Sequence, residues 1–254
     1  MSCWFAVHSG SVKKRHPMFL LDLSFARPEA NLAADEALLN LCEAEPNQEI
    51  LRVWTTAKPF VVVGYGNRVA TEVRLERCRS AAVPVLRRCT GGGTVLQAEG
   101  CFNYTLVLNS QNHPATATIP GTNEYMMTRQ ARALRRLLGS AVRVRGMTDL
   151  ALNDFKFSGN AQRRRKSAIL FHGCFLLAMD LNLVEEFLPL PTQRPEYRGD
   201  RSHMDFLKNI EVPEAEVRKV LMEEWSALEH FSGDLEVEEL VAEKYSRDEW
   251  NLKF

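Results

Sequence analysis

Ten consecutive residues, Arg87-Arg88-Cys89-Thr90-Gly91-Gly92-Gly93-Thr94-Val95-Leu96, join two guanidinium groups to three successive glycines. Apolar, strand-like runs flank them at 83–86 and 103–108. Glycine loses more backbone entropy on folding than any other residue, so a triplet marks a sharp turn or a very close approach by a ligand or another backbone. Guanidinium forks match carboxylate and phosphate geometry, so the run is either a plain turn or an anion cradle. Its spacing is neither G-x-x-x-x-G-K-[ST] nor G-x-G-x-x-G, which excludes a P-loop and a dinucleotide fingerprint.

Two further segments carry chemistry. Lys156 lies between Phe155 and Phe157, just before Ser158-Gly159. An ammonium in apolar surroundings needs a paired anion, unless its stem snorkels from an edge strand. His172-Gly173 interrupts the apolar run 168–179. Such a histidine is a satisfied core group or a ligand-facing one, and the glycine implies close packing. Arg163-Arg164-Arg165-Lys166 is a basic cluster, read either as a solvated turn between strands or as a docking patch for an acidic partner domain.

The elements that must hold these groups follow from periodicity and breakers. Strands are predicted over 19–23, 50–53, 60–63, 83–86, 94–96, 103–108, 142–144, 149–152 and 168–179. Pro28 suits the first turn of a helix over 28–45. Thr71 would cap a helix reaching Ala82, and Thr122 would begin another carrying Met126, Met127, Ala131, Leu134 and Leu137. Shorter or terminal helices are predicted over 182–188, 213–231 and 235–245, with a polar loop over 191–208. Strand pairs mixed with single helices indicate an α+β fold. The domain reading is a loose extension over 1–17, a catalytic unit over 18–210, and C-terminal helices over 211–254 packed on the same unit.

Bulk properties narrow the function. A 45% hydrophobic and 25% charged composition is that of a globular chain able to bury a core. Zero formal net charge gives no global field for nucleic acid or a membrane, and no apolar run is long enough to span a bilayer. Lys13-Lys14-Arg15 follows rather than precedes the mixed N-terminal stretch, unlike a signal peptide. Six cysteines without C-x-x-C or zinc-ligand spacing suggest a reduced, cytoplasmic protein.

Taken together, the motifs resemble the lipoate–protein ligase A family of the biotin/lipoate ligase superfamily. The match runs from Arg87-Arg88-Cys89-Thr90-Gly91-Gly92-Gly93-Thr94-Val95 through Asn103-Tyr104 and Thr148-Asp149-Leu150. It continues with Lys156-Phe157-Ser158-Gly159-Asn160-Ala161-Gln162-Arg163 and His172-Gly173-Cys174-Phe175-Leu176. Asn31 to Leu38, Leu51-Arg52-Val53-Trp54 and Val63-Gly64-Tyr65-Gly66-Asn67 also fit, and the whole spans roughly 18–190. The resemblance implies a mixed, largely antiparallel sheet flanked by helices. It implies an enzyme that joins lipoate or octanoate to AMP from ATP with Mg2+, then acylates a lysine of a small lipoyl domain. Lys156 would be catalytic, bridging the acyl carbonyl and the α-phosphate. Arg88, Gly93, Thr94, Val95 and Leu96 would follow the nucleotide, and Gly91 and Gly92 would admit the acyl-adenylate. Asp149 would lie near phosphate and magnesium. Arg52, Asn103, Ser158, Gly159 and His172 complete the implied substrate site, and the loop Arg194-Pro195-Glu196-Tyr197-Arg198 would close over the adenylate, by analogy with mobile loops that exclude water from reactive intermediates.

Three departures stand out: Gln97 where the family often has histidine, Cys174 where it has threonine or serine, and a C-terminal stretch shorter than the family's accessory domain. A separate accessory protein would fill that last gap. Two alternatives share the fold: an ATP-independent octanoyl or lipoyl transferase using a cysteine thioester, and a catalytically silent lipoyl-domain-binding paralogue.

Overall fold

The computed structural model describes residues 17–254, so residues 1–16 of the expected N-terminal extension lie outside the described residues. Eleven strands are present: β1 (Met18–Asp22), β2 (Glu49–Thr55), β3 (Phe60–Val63), β4 (Val85–Arg87), β5 (Val95–Gln97), β6 (Cys101–Asn109), β7 (Val142–Arg145), β8 (Asp149–Leu152), β9 (Phe155–Arg164), β10 (Ala168–Leu176) and β11 (Glu229–His230). Eight form one sheet in the order β11-β1-β2-β6-β10-β9-β8-β7, and β4-β3-β5 form a second. The pairs β11/β1, β1/β2 and β3/β4 are parallel and the rest antiparallel, so the fold is α+β with a mixed, mainly antiparallel sheet.

Three long helices cover the larger sheet: α1 (Pro28–Ala44), α2 (Ile119–Leu138) and α3 (Glu214–Trp225). Period-two alternation divides the central strands between two faces. Leu51, Val53, Phe102, Tyr104, Leu106, Phe171 and Phe175 pack with Met126, Met127 and Leu134 of α2 and Val217 and Leu221 of α3. On the opposite face Ile50, Val107 and Leu170 meet Leu38, Leu39 and Cys42 of α1. Farther along that second face the strands change from apolar to polar, through Arg52, Thr105 and His172 in one cross-strand row and Trp54, Asn103, Cys174 and Gly159 in the next.

Several elements differ from the sequence prediction. The helix expected from Thr71 to Ala82 is two short ones, Val69–Glu72 and Leu75–Ser80, because Val73 is extended and the Arg74 N–H bonds the Phe187 carbonyl. Thr71 therefore does not cap it. Helix α2 starts at Ile119, with Thr118 capping the Gly121 N–H, while the Thr122 hydroxyl bonds back to the Thr116 and Thr118 carbonyls. The helix expected over 213–231 stops at Trp225, where Ser226 turns left-handed at φ 57°. Its remaining residues supply β11. The terminal helix expected over 235–245 runs from Val237 to Tyr245, α-helical over Val237–Leu240 and π-helical over Val241–Tyr245, and a further short helix Asp248–Asn251 follows. Strand β9 was anticipated only as the edge strand alternatively placed at Lys156, without its range.

Candidate active site

A cavity of about 860 Å³ lies between the polar face of the larger sheet, strands β3 and β5, and the segment 189–208. It collects Lys156, Asp149, Ser158, Gly159, His172, Arg88, Gly92, Gly93, Thr94, Val95, Leu96 and Asn103. Arg52 and Gly91 do not line it.

The glycine run is shaped by its own arginine. Arg88 donates from Nε and Nη2 to the Gly91 carbonyl at 3.0 and 2.7 Å, and from Nη2 to the Gly93 carbonyl at 2.7 Å. Gly92 has φ +83°, and a Cβ there would sit 2.9 Å from Arg88 Nη2. A Cβ on Gly64 would meet the Gly92 carbonyl at 2.1 Å, so the loop packs backbone on backbone. Arg88 is buried and makes no ion pair among the described residues; burial pushes its guanidinium down to about 10.

Beneath the loop, Asp35 on α1 joins two sequence-predicted residues. Its Oδ1 accepts from Arg52 Nη1 at 2.7 Å and from the Thr105 hydroxyl, and its Oδ2 faces His172 Nδ1 at 2.8 Å. Burial alone would raise the Asp35 carboxyl, but the His172 contact and Arg52 outweigh it and hold it below its usual value. Arg52 is fully buried and donates also to Leu23 and Asn31, so its role is to fix α1 to the sheet. His172 Nε2 contacts the buried Thr90 hydroxyl at 2.7 Å. With both ring nitrogens engaged, His172 ties the glycine run to the sheet while lining the cavity.

Lys156 Nζ pairs with Asp149 Oδ1 at 2.7 Å, and Asp149 Oδ2 accepts from the Tyr197 hydroxyl at 2.8 Å. Gly159 makes room for the ammonium, because a Cβ there would lie 2.9 Å from Lys156 Nζ. The neighbouring Gly173 is equally constrained, its Cβ position being 1.7 Å from Asn160 Oδ1. Asn160 in turn accepts from the Tyr104 hydroxyl and donates to the Thr148 carbonyl. Asn103 Nδ2 and Gln97 Oε1 are buried and have no partner among the described residues.

Cys174 forms part of the cavity wall. Its thiol is lowered from the ordinary value, first by a hydrogen bond from Cys101 and then, against burial, by Lys156, Gln97 and Arg88. Met179 Sδ, 3.3 Å from Cys101 Sγ, competes for that one proton. The other described cysteines, Cys42, Cys78 and Cys89, are also free and buried, and no group of three or more metal-ligating side chains occurs among the described residues.

Within the basic cluster Arg163-Arg164-Arg165-Lys166 the three arginines make hydrogen bonds inside the chain, while Arg165 and Lys166 are exposed. Arg163 donates to the Cys89 carbonyl, Arg164 to the Thr116 carbonyl and the Thr122 hydroxyl, and Arg165 to Asn40. Arg163 and Arg164 latch strand β9 to its neighbours, and Arg165 ties the following turn to α1. Trp54 and Asn160 line the cavity although the motifs gave neither a site role, and Arg198 of the loop 194–198 lines it while Tyr197 reaches Asp149.

The family described as "Lipoyl protein ligase A/B catalytic domain" matches residues 27–226. The chain belongs to this family. Octanoyltransferase LipM of Geobacillus kaustophilus is 29% identical over 274 residues, covering 92% of this chain and 97% of its own. The structure of a bi-partite lipoate protein ligase of Thermoplasma acidophilum, from work on that ligase and its E2 lipoyl domain, superposes with a TM-score of 0.78 at 27% identity, covering 93% and 96% of the two chains. A lipoate-protein ligase A bound with ATP superposes at 0.76 with 27% identity, covering 93% and 98%. The lipoyl ligase family and its fold are thereby assigned; its members include both ligases and octanoyltransferases.

Proposed function

We propose that this protein is an ATP-dependent lipoate–protein ligase that activates lipoate or octanoate as the acyl-adenylate and transfers the acyl group to a lysine of a lipoyl domain. The observation that carries this reading is the pair of cations, Lys156 and Arg88, lining one cavity with Asp149 as the only carboxylate paired to either among the described residues. A carboxylate and a triphosphate repel each other, and fixed positive charge where they meet lowers that barrier. In this reading the carboxylate oxygen attacks the α-phosphorus and pyrophosphate leaves; Lys156 stabilises the charge that grows there. The acceptor amine then attacks the acyl carbonyl and AMP leaves. Asp149 would be the carboxylate to hold magnesium, which would supply positive charge to the phosphates, on exchange of its contacts with Lys156 and Tyr197.

The Thermoplasma relative supports a lipoyl domain as acceptor and a second chain as accessory partner. The test is pyrophosphate release from ATP with lipoate in the absence of acceptor. Wild-type protein should release it, and Lys156→Ala should fall to background.

One observation favours a second reading. Cys174 stands in the same wall as Lys156 with a lowered thiol, which suits a thioester route from an acyl thioester donor. On that route the thiolate displaces the donor thiol, and the acceptor amine then displaces Cys174. Transfer without ATP that Cys174→Ser abolishes would establish it.

A further inference from the structure

The segment 189–208 forms the cavity wall nearest Lys156: the Lys208 N–H bonds the Lys156 carbonyl at 3.0 Å, and Tyr197 reaches Asp149. Within it Arg198 is 5% exposed, lines the cavity, and makes no ion pair among the described residues. Its Nε donates to the Arg201 carbonyl at 3.2 Å, its Nη2 lies 3.4 Å from His203 Nδ1, and its guanidinium stacks over Phe206 at 4.7 Å. Arg201 stacks on the same ring at 5.0 Å, and Arg194, which also lines the cavity, pairs only with the exposed Asp200. Burial, then Arg194 and Arg201, lower the Arg198 guanidinium.

Asp149 and Tyr197 oppose this more weakly, and no carboxylate pairs with Arg198 among the described residues; a buried cation crowded by two others and without a paired carboxylate is unfavourable unless an anion binds there. Arg88 is in the same condition in the glycine-loop wall, whereas Lys156 already has Asp149. Among the described residues the cavity therefore holds two buried guanidiniums without an ion pair, one on the glycine loop and one on the segment 189–208, besides the exposed Arg68. We infer that Arg198, assisted by Arg194, binds the terminal phosphates of the nucleoside triphosphate and holds the departing pyrophosphate. This rests on the ATP-dependent reading. When the acyl carboxylate oxygen bonds to the α-phosphorus, the bond to the bridging oxygen breaks and its electron pair leaves with pyrophosphate. Arg198 is placed to stabilise that growing charge with charge-assisted hydrogen bonds.

Calorimetric titration of the full chain with inorganic pyrophosphate tests the site. Arg198→Met should raise the pyrophosphate Kd by about tenfold or more, Arg198→Lys by less, and Arg194→Gln by about threefold. The KM for ATP should rise in parallel. Arg194 is partly exposed, so its variant decides the matter if circular dichroism shows Arg198→Met unfolded. Wild-type Kd in both arginine variants would overturn the inference, as would inorganic phosphate binding as tightly as pyrophosphate. Failure of the ligase reading is seen separately, as wild-type protein that binds pyrophosphate but releases none from ATP and lipoate.

Discussion

Lys156 and Asp149 are 2.7 Å apart and partly screened from water, so either substitution leaves an uncompensated charge facing the ligand. We predict that Lys156→Ala lowers the rate of adenylate formation by about 10²–10³-fold, measured as pyrophosphate release. Arg52 belongs to a different class. It is fully buried and holds Asp35, Leu23 and Asn31, so Arg52→Leu strands a buried carboxylate. The expected loss is about 3–5 kcal/mol of stability in urea unfolding. A normal midpoint with lost lipoate affinity would instead make Arg52 a ligand residue. The motif pointed to Arg52 and Lys156 alike, because a sequence pattern records that an arginine belongs there but not which way it faces. The same is true of His172, whose nitrogens point to Asp35 and Thr90 rather than to a ligand.

Strands β9 and β10 carry the site because their cross-strand partners have almost no side-chain volume to spare. Gly173→Ala would drive a methyl into Asn160 and break its bond to Tyr104. A stability loss of about 1–3 kcal/mol is expected, together with a raised KM for the acyl substrate. The segment 189–208 has its own control. His203 is lowered from 6.5 by burial, and its neutral form accepts from Arg198 at Nδ1 and donates to the Pro189 carbonyl at Nε2. Glu185 favours the charged form, while Arg74 and Arg198 oppose it. Since the folded value is depressed, this contribution is complete above the unfolded value and is lost as pH falls through the folded one. Protease cleavage within 189–208 should therefore increase from about pH 7 to about pH 5.5, and His203→Asn should flatten the change. Legibility varied in the same way among elements. Helix α1 and strand β6 were visible because both bury long apolar stretches. Strand β9 was hidden because one of its faces is a cavity, which removes the apolar alternation that marks a strand. The helix over 213–231 was overextended because Leu228 fits its spacing, yet Leu228 is exposed and the chain has already turned at Ser226. Arg198 sits in a charged loop without periodicity, so the sequence marked the loop 194–198 as a cover for the adenylate but not which of its residues is buried against the cavity.

At the scale of the molecule, residues far apart in sequence close around the glycine run. Arg87 is buried beneath it, donating to the Gly64, Tyr65 and Asn67 carbonyls and to Trp250. Asn251 accepts from the Arg87 N–H, and Trp250 Nε1 donates to the Arg87 carbonyl. We propose that the stretch 211–254 is part of the catalytic unit for this reason. Asn251→Ala should lower stability by about 1–3 kcal/mol in denaturant titration, and no change would separate that stretch from the site. No helix among the described residues is long and apolar enough to cross a membrane. The central claim is that this site activates its acyl substrate with ATP. The most direct measurement is mass spectrometry of a lipoyl domain after incubation with the protein in two arms, lipoate plus ATP and an octanoyl thioester donor without ATP. The account predicts an acylated lysine in the first arm only, lost in Lys156→Ala and retained in Cys174→Ser. Acylation in the second arm that disappears in Cys174→Ser, with none from ATP and lipoate, would contradict it.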